Sequence, residues 1–367
     1  MVLVPHGVFA YTWDLVGDPD AAARIAGLGA DTVTLQAAYH AVRGLTPWHP
    51  AHRVVHAQHA AAYFPIRAGH WAEMRPLAPS WAVENPDRFG TAAAALTAAG
   101  LSVEAWLVLT HSSAVGAAHP EVTVRNAYGE RYPYALCPSH QAVRDYALTL
   151  VSEVCAQYDV GALMLEACGW LGFDHGSHHE KTEGAELSVA ARRLLSLCFC
   201  PACRTAIGSD ADRLAASVRT AVDAELHGSG PAQLVDADAL LDHRATIIGE
   251  LVREAKALAG DRRLLLMATD DPWVTGPDVG VDFQGVTPDA FVLKCWGDAS
   301  AAARRLKAAA ERTNIPLIAN VTVLDDRWDG VTELLEAGAT EVRYYHAGLA
   351  SKARLGRIRT AIAEADR

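Results

Sequence analysis

The stretch LLSLCFCPACRTA places Cys198, Cys200 and Cys203 in a C-x-C-x-x-C pattern, in a chain that holds seven cysteines. A fourth, Cys137, lies in YALCPSHQAVRDYA. Such a cluster can hold a metal, form a redox pair or fill a core. A tetrahedral zinc site needs four thiolates about 2.3 Å from the ion, with a tight knuckle supplying some and the fold bringing the rest. Cys137, Cys198, Cys200 and Cys203 are therefore the expected ligands of a structural zinc. Cys155, Cys168 and Cys295 fall in apolar or wall positions and read as packing residues.

A second kind of chemistry rests on carboxylates. Glu166 ends the apolar run VGALMLEA, and a carboxyl among hydrophobic neighbours can have its pKa raised into the range of a general acid. Glycoside hydrolysis needs such an acid and a second carboxylate on the other side of the scissile bond. The sequence offers Asp270 or Asp271 in LMATDDPW and Asp325 or Asp326 in VTVLDDRWD, with Asp270 and Asp325 as the lead candidates.

Rings gather near the same strand ends: Trp13, His40, His111, Trp170, Trp296 and His346, with His175 and His178 in GFDHGSHHEK. Indole faces suit the apolar C–H faces of sugars, and imidazoles suit their hydroxyls. These eight are the expected substrate-binding set.

The elements that must position these groups are short apolar runs alternating with alanine-rich amphipathic ones. Eight strand-like runs occur: His6–Trp13, Asp31–Ala38, Ser102–Thr110, Val160–Ala167, Arg263–Thr269, Asp289–Trp296, Pro316–Leu324 and Glu341–Gly348. Between them, segments such as NPDRFGTAAAALTAAG open on Asn or Asp and close on Gly, as helix caps do. Strand and helix alternating eight times predict a single α/β domain over residues 1–367, a (β/α)8 TIM barrel. A doubly wound sheet would want a G-x-G-x-x-G after the first strand, and none is there. Long insertions after the second strand (41–81) and the fourth (168–236) are expected to cover the C-terminal face, where barrel active sites lie. Loops of adjacent strands lie side by side, so Cys137 after the third strand can meet the cysteines after the fourth.

Composition limits the partners. Of 367 residues, 51% are hydrophobic, and the formal net charge is −11. Phosphate backbones require a basic surface, so nucleic acid and anionic membrane are not expected. A small neutral or cationic ligand is. No leader or membrane span is recognisable, which points to the cytoplasm, where clustered cysteines are metal ligands or catalytic thiols more often than disulfides. The insertions also offer surface for a homo-oligomer.

The order of a CPS cysteine after the third strand, a Glu ending the fourth, and then C-x-C-x-x-C resembles the glycoside hydrolase family 42 β-galactosidases. The segment from Ala135 to Cys203 is closer still to uncharacterised glycoside-hydrolase-like barrels. The resemblance implies a four-cysteine zinc site and an acid/base Glu at position 166. It departs in two ways: Leu165 rather than Asn precedes Glu166, and no Glu follows the seventh strand, where that clan carries its nucleophile. The expected function is glycosidic-bond cleavage in a carbohydrate or glycoside. Two alternatives stand beside it: a metal-dependent hydrolase or sugar isomerase on the same barrel, and a non-catalytic carbohydrate-binding barrel.

Overall fold

The computed structural model describes residues 4–81, 84–174, 180–325 and 330–365. Eight parallel strands form its centre: β1 (His6–Ala10), β2 (Thr32–Tyr39), β3 (Ser102–Val108), β4 (Ala162–Glu166), β5 (Arg263–Thr269), β6 (Ala290–Lys294), β7 (Leu317–Thr322) and β8 (Glu341–Tyr345). Each pairs with the next, and β8 pairs with β1 through Val342 and His6, so the sheet closes into a barrel. The strands are buried along nearly their whole length. Parallel strands covered on both faces read as largely continuous apolar runs, which is why most of them stand out in the sequence; β3 and β8 carry Glu104, Glu341 and Arg343 as well.

Seven helices between or after the strands form most of the outer layer: α1 (Ala21–Ala26), α2 (Arg88–Ala98), α3 (Gln141–Gln157), α4 (Asp238–Ala259), α5 (Ala299–Ala310), α6 (Val331–Glu336) and α7 (Lys352–Ala365). The caps are in place: the Asp87 side chain accepts from Gly90 N–H at the start of α2, and Asp298 from Ala301 N–H at the start of α5. Between β5 and β6 the chain makes no helix; residues 270–289 form a loop with a short strand, Val279–Gly280, laid against the end of β5.

After β2 the chain forms a hairpin, Val42–Leu45 with Val54–Ala57, and returns as Ala61–Ala62 antiparallel to β2. After β4 come three helices, Val189–Leu195, Pro201–Ile207 and Ala211–Leu226. No helix among the described residues is long and apolar enough to cross a membrane.

The barrel interior is polar at its lower end. Arg343 donates to Glu104 at 2.6 Å and to Glu341 at 2.8 Å, Thr34 Oγ1 donates to Glu104 at 2.7 Å, and Arg263 pairs with Glu341 at 2.5 Å. Burial pushes the Glu104 carboxyl up, but Arg343 beside it outweighs that and holds it below the usual carboxylate value. Gly7 makes room for this network: a Cβ there would lie 2.4 Å from Arg343 Cδ.

Candidate active site and metal centre

Period-two alternation along β3 sends Glu104 and Trp106 into the barrel, the first at the lower end and the second near the mouth. Glu166 ends the neighbouring β4, and Trp106 Nε1 donates to Glu166 Oε2 at 2.8 Å. Glu166 is only 5% exposed. Burial raises its carboxyl to about 8; the Trp106 hydrogen bond and the Lys294 ammonium pull it down, and the charge of Asp278 pushes it up. At neutral pH the group carries its proton. Ala167, the next residue, has a φ of 52°, a left-handed backbone unusual for a residue with a Cβ.

That conformation accompanies a long-range contact. Ala167 N–H donates to Pro277 O at 2.9 Å, and Gly276 N–H to Trp170 O at 2.9 Å. These bonds draw the β5–β6 loop across the end of β4, and Asp278 follows directly. Burial raises the Asp278 carboxyl to about 6, and Lys294 opposes the shift. Its Oδ1 is enclosed with no hydrogen-bond partner among the described residues. Lys294 ends β6 with an exposed side chain, and its Nζ lies 4.3 Å from the centre of the Trp296 ring.

Three tyrosines complete the surroundings of Glu166. The Tyr11 hydroxyl donates to Tyr39 at 3.2 Å, and Tyr345 OH lies 3.5 Å from Tyr11 OH and 3.4 Å from Tyr39 OH. All three rings contact Trp106. Burial keeps the phenols neutral, and the Glu166 charge adds to the rise at Tyr39 and Tyr345. A cleft of about 530 Å3 is lined by Asp278, Lys294, Trp296 and the flank of α5, while Glu166 and the tyrosines lie outside its lining.

The residues expected from the sequence distribute unevenly over this geometry. Glu166 and Trp296 lie where the strands predict. His40 stacks on Tyr39 at 4.1 Å and faces His111 at 4.7 Å, so this pair sits at the mouth beside the tyrosines. Trp13 is fully buried against Tyr11, Tyr63 and Trp81 and presents no ring face to a ligand. His346 is likewise fully buried against Tyr11, and burial lowers its pKa to about 3, leaving it neutral. Trp170 is buried and packs under the Arg244 guanidinium, 5.5 Å from its ring centre, outside the lining of the cleft. Asp270 pairs with Arg312 at 2.9 Å, and Asp271 with Arg193, so both carboxylates are committed to arginines. Asp325 is half-buried in the loop after β7. His175, His178 and Asp326 lie outside the described residues. Asp278, Lys294 and the three tyrosines were not anticipated. Alternation along β8 offered a clue to one of them, since Glu341 and Arg343 must point into the barrel and Tyr345 shares their face.

The four cysteines do converge. The Sγ atoms of Cys137, Cys198, Cys200 and Cys203 lie within 4.8 Å of one another, all buried. Cys137 Sγ is 3.6 Å from Cys203, 3.8 Å from Cys198 and 3.6 Å from Cys200. These separations fit the edge of about 3.8 Å expected for a tetrahedron with vertices about 2.3 Å from a central zinc, and are far beyond the S–S bond of about 2.05 Å. Cys200 caps the helix Pro201–Ile207 and Cys203 lies in its first turn. Around the cluster, Ser139 Oγ is 3.0 Å from Cys203 Sγ and 2.8 Å from His243 Nε2, and the buried Arg244 donates to Ser196 O at 2.7 Å. A divalent ion with four thiolates would carry two net negative charges, and the Arg244 guanidinium offsets part of them within the same core.

No protein-family model matches the chain, and no curated protein matches it in sequence. Solved structures match it in fold. The PgaB (BpsB) glycoside hydrolase domain from Bordetella bronchiseptica is 16% identical with a TM-score of 0.58, covering 98% of this chain and 99% of that one. Gan42B, a GH42 β-galactosidase from G. stearothermophilus, is 10% identical with a TM-score of 0.58, covering 99% of this chain and 56% of that one. The α-L-fucosidase isoenzyme 2 from Paenibacillus thiaminolyticus is 11% identical with a TM-score of 0.56, covering 99% and 49%. The chain thus spans about half the length of the last two and nearly all of the first. At these identities the likeness is one of fold: a distant resemblance to glycoside hydrolase barrels.

Proposed function

We propose that this protein is a glycoside hydrolase in which Glu166 is the general acid and Asp278 the second carboxylate. The observation that carries the reading is the pair itself: two carboxyls at the barrel mouth whose environments separate their pKa values, to about 8 for Glu166 and about 6 for Asp278. Near pH 7 one holds a proton and the other is ionised, the division of labour that bond cleavage between sugars requires. Glu166 gives its proton to the leaving oxygen. Asp278, kept ionised by Lys294, acts from the other side as base or nucleophile. Asp278 takes the role that Asp270 and Asp325 were expected to fill, because Asp270 is held by Arg312. Trp296, His40 and His111 line the approach for the sugar.

The fold likeness to glycoside hydrolases supports this reading. The cysteine cluster fits a structural zinc ion: it is buried among Cys137, Cys198, Cys200 and Cys203, and when bound the metal would cross-link the loop after β3 to the segment after β4. The test is turnover on a panel of aryl glycosides. Wild-type protein should cleave at least one; Asp278→Asn should lose most of that turnover, and Glu166→Gln should lose it on glycosides whose leaving group needs a proton, each keeping the circular dichroism of the fold. Retention of wild-type turnover by Asp278→Asn, or by Glu166→Gln on glycosides whose leaving group needs a proton, would overturn the assigned role.

A further inference from the structure

The cleft beside Asp278 carries more positive charge than the chain as a whole implies. The protein has a formal net charge of −11. Five charged residues line this cleft, namely Asp270, Asp271, Asp278, Lys294 and Arg305. Asp270 is neutralised by Arg312 and Asp271 by Arg193. Asp278 is left facing Lys294. Arg305, exposed on α5, takes no ion pair among the described residues.

The hydrogen-bonding inventory is lopsided in the same direction. Lys294 offers three N–H donors, Arg305 five, and Trp296 one, whose Nε1 is enclosed without a partner among the described residues. The acceptors Asp270 and Asp271 are already engaged. The two cations reach the cleft from different elements, Lys294 from the end of β6 and Arg305 from α5. The charge of Lys294 acts on Glu166 and Asp278, whereas that of Arg305 acts on the Cys295 thiol. The absence of a helix between β5 and β6 leaves the flank of α5 facing this space, which is how an arginine of the outer layer comes to line the cleft with Lys294.

We infer that the cleft selects a sugar carrying a carboxylate, a uronic acid residue, with Lys294 and Arg305 binding the anionic group beside Asp278. This deepens the glycosidase reading and rests on it for the chemistry, though not for the binding. Arg305 supplies a planar fork that matches a carboxylate in two parallel hydrogen bonds. Lys294 supplies a point charge on the inner side. The ligand that the −11 charge suggests at long range, neutral or cationic, is thus reversed locally.

The experiment measures binding by calorimetry of glucuronate and galacturonate, of the parent glucose and galactose, and of glucose 6-phosphate, to wild type, Arg305→Gln and Lys294→Gln. It also measures turnover of 4-nitrophenyl glucosides, galactosides, glucuronides and galacturonides in both anomers. Wild type should prefer at least one uronate over its parent sugar by roughly tenfold to a hundredfold, the range of charge-assisted hydrogen bonds at a partly exposed site. The preference should shrink between 50 mM and 500 mM salt, as roughly expected from screening. Arg305→Gln should bring the ratio of uronate to neutral sugar toward one, with the fold unchanged by circular dichroism. Equal binding of acidic and neutral sugars by wild type, or an undiminished preference in both variants, overturns the inference. Preference for glucose 6-phosphate over both uronates also overturns it, in favour of a phosphosugar site. Uronate preference without turnover of any glycoside would leave the binding inference standing and sink the glycosidase reading; turnover of neutral glycosides with no uronate preference would do the reverse.

Discussion

Ala167 N–H and Pro277 O, 110 positions apart in the chain, are joined by a hydrogen bond of 2.9 Å. Through it the residue after Glu166 holds the residue before Asp278. The end of β4, which carries Glu166, and the β5–β6 loop, which carries Asp278, are thereby tied together by backbone.

The pH dependence of kcat/KM should follow from this pairing. With Asp278 raised to about 6 and Glu166 to about 8, activity should rise as Asp278 ionises and fall as Glu166 loses its proton, giving a bell between those flanks. The two flanks belong to the coupled pair. Because the Asp278 charge pushes Glu166 up, a variant that keeps some activity, Asp278→Asn, should show an alkaline flank moved to lower pH. Trp106→Phe, which removes a hydrogen bond that favours the ionised form, should move it higher. Profiles of both variants over pH 4–10 check the signs.

Glu166 should also cost stability. A carboxyl raised from its ordinary value of 4.5 to about 8 on folding disfavours the native state once the unfolded chain ionises. The sign runs so that the penalty is absent below about pH 4 and grows as pH rises toward 8. At pH 7 it amounts to roughly 3 kcal/mol, at 1.36 kcal/mol per pKa unit. Glu166→Gln should therefore unfold at a higher denaturant concentration than wild type at pH 7 and at nearly the same concentration at pH 4. Equal midpoints at both values would mean that Glu166 is less buried than the structure places it.

The reading of the sequence was strongest where a signal is local. The strands were visible because most are short apolar runs between alanine-rich helices, and the cysteines because their spacing is short. Glu166 was visible because a lone carboxylate ended an apolar run. Asp278 was not: in TGPDVGVDF it follows a proline among glycines and looks like any turn residue. Its place is set by the contact between Pro277 and Ala167, which leaves no mark in either segment. Trp13 and His346 are the converse case, legible as strand-end rings but fully buried in the fold. Both follow strand ends, yet the chain after β1 turns at once into a short helix, Thr12–Leu15, that packs inward and buries the indole.

Purified protein should carry about one zinc ion per chain, bound by the four clustered cysteines. Metal binding free energy is folding free energy, so Cys200→Ser should lower the unfolding temperature sharply and raise its sensitivity to chelators. Replacement of the zinc by cobalt should give intense sulfur-to-metal absorption that the variant loses. Activity per folded molecule should change little, since the cluster packs with Trp170 and Arg244 and Glu166 sits with Trp106 and the tyrosines. Elemental analysis finding no metal in reduced, freshly purified protein would contradict this.

The central claim, that Glu166 delivers the proton, is tested most directly by leaving-group dependence. Glu166→Gln should lower kcat by roughly 10²–10⁴-fold on glycosides whose leaving group must be protonated, the usual contribution of a general acid. On the matching glycosides with an activated phenol the loss should be much smaller, because such a phenolate departs without a proton. Equal losses on both kinds of substrate, with inhibitor binding weakened as well, would indicate a damaged pocket. Unchanged turnover on both would contradict the account outright.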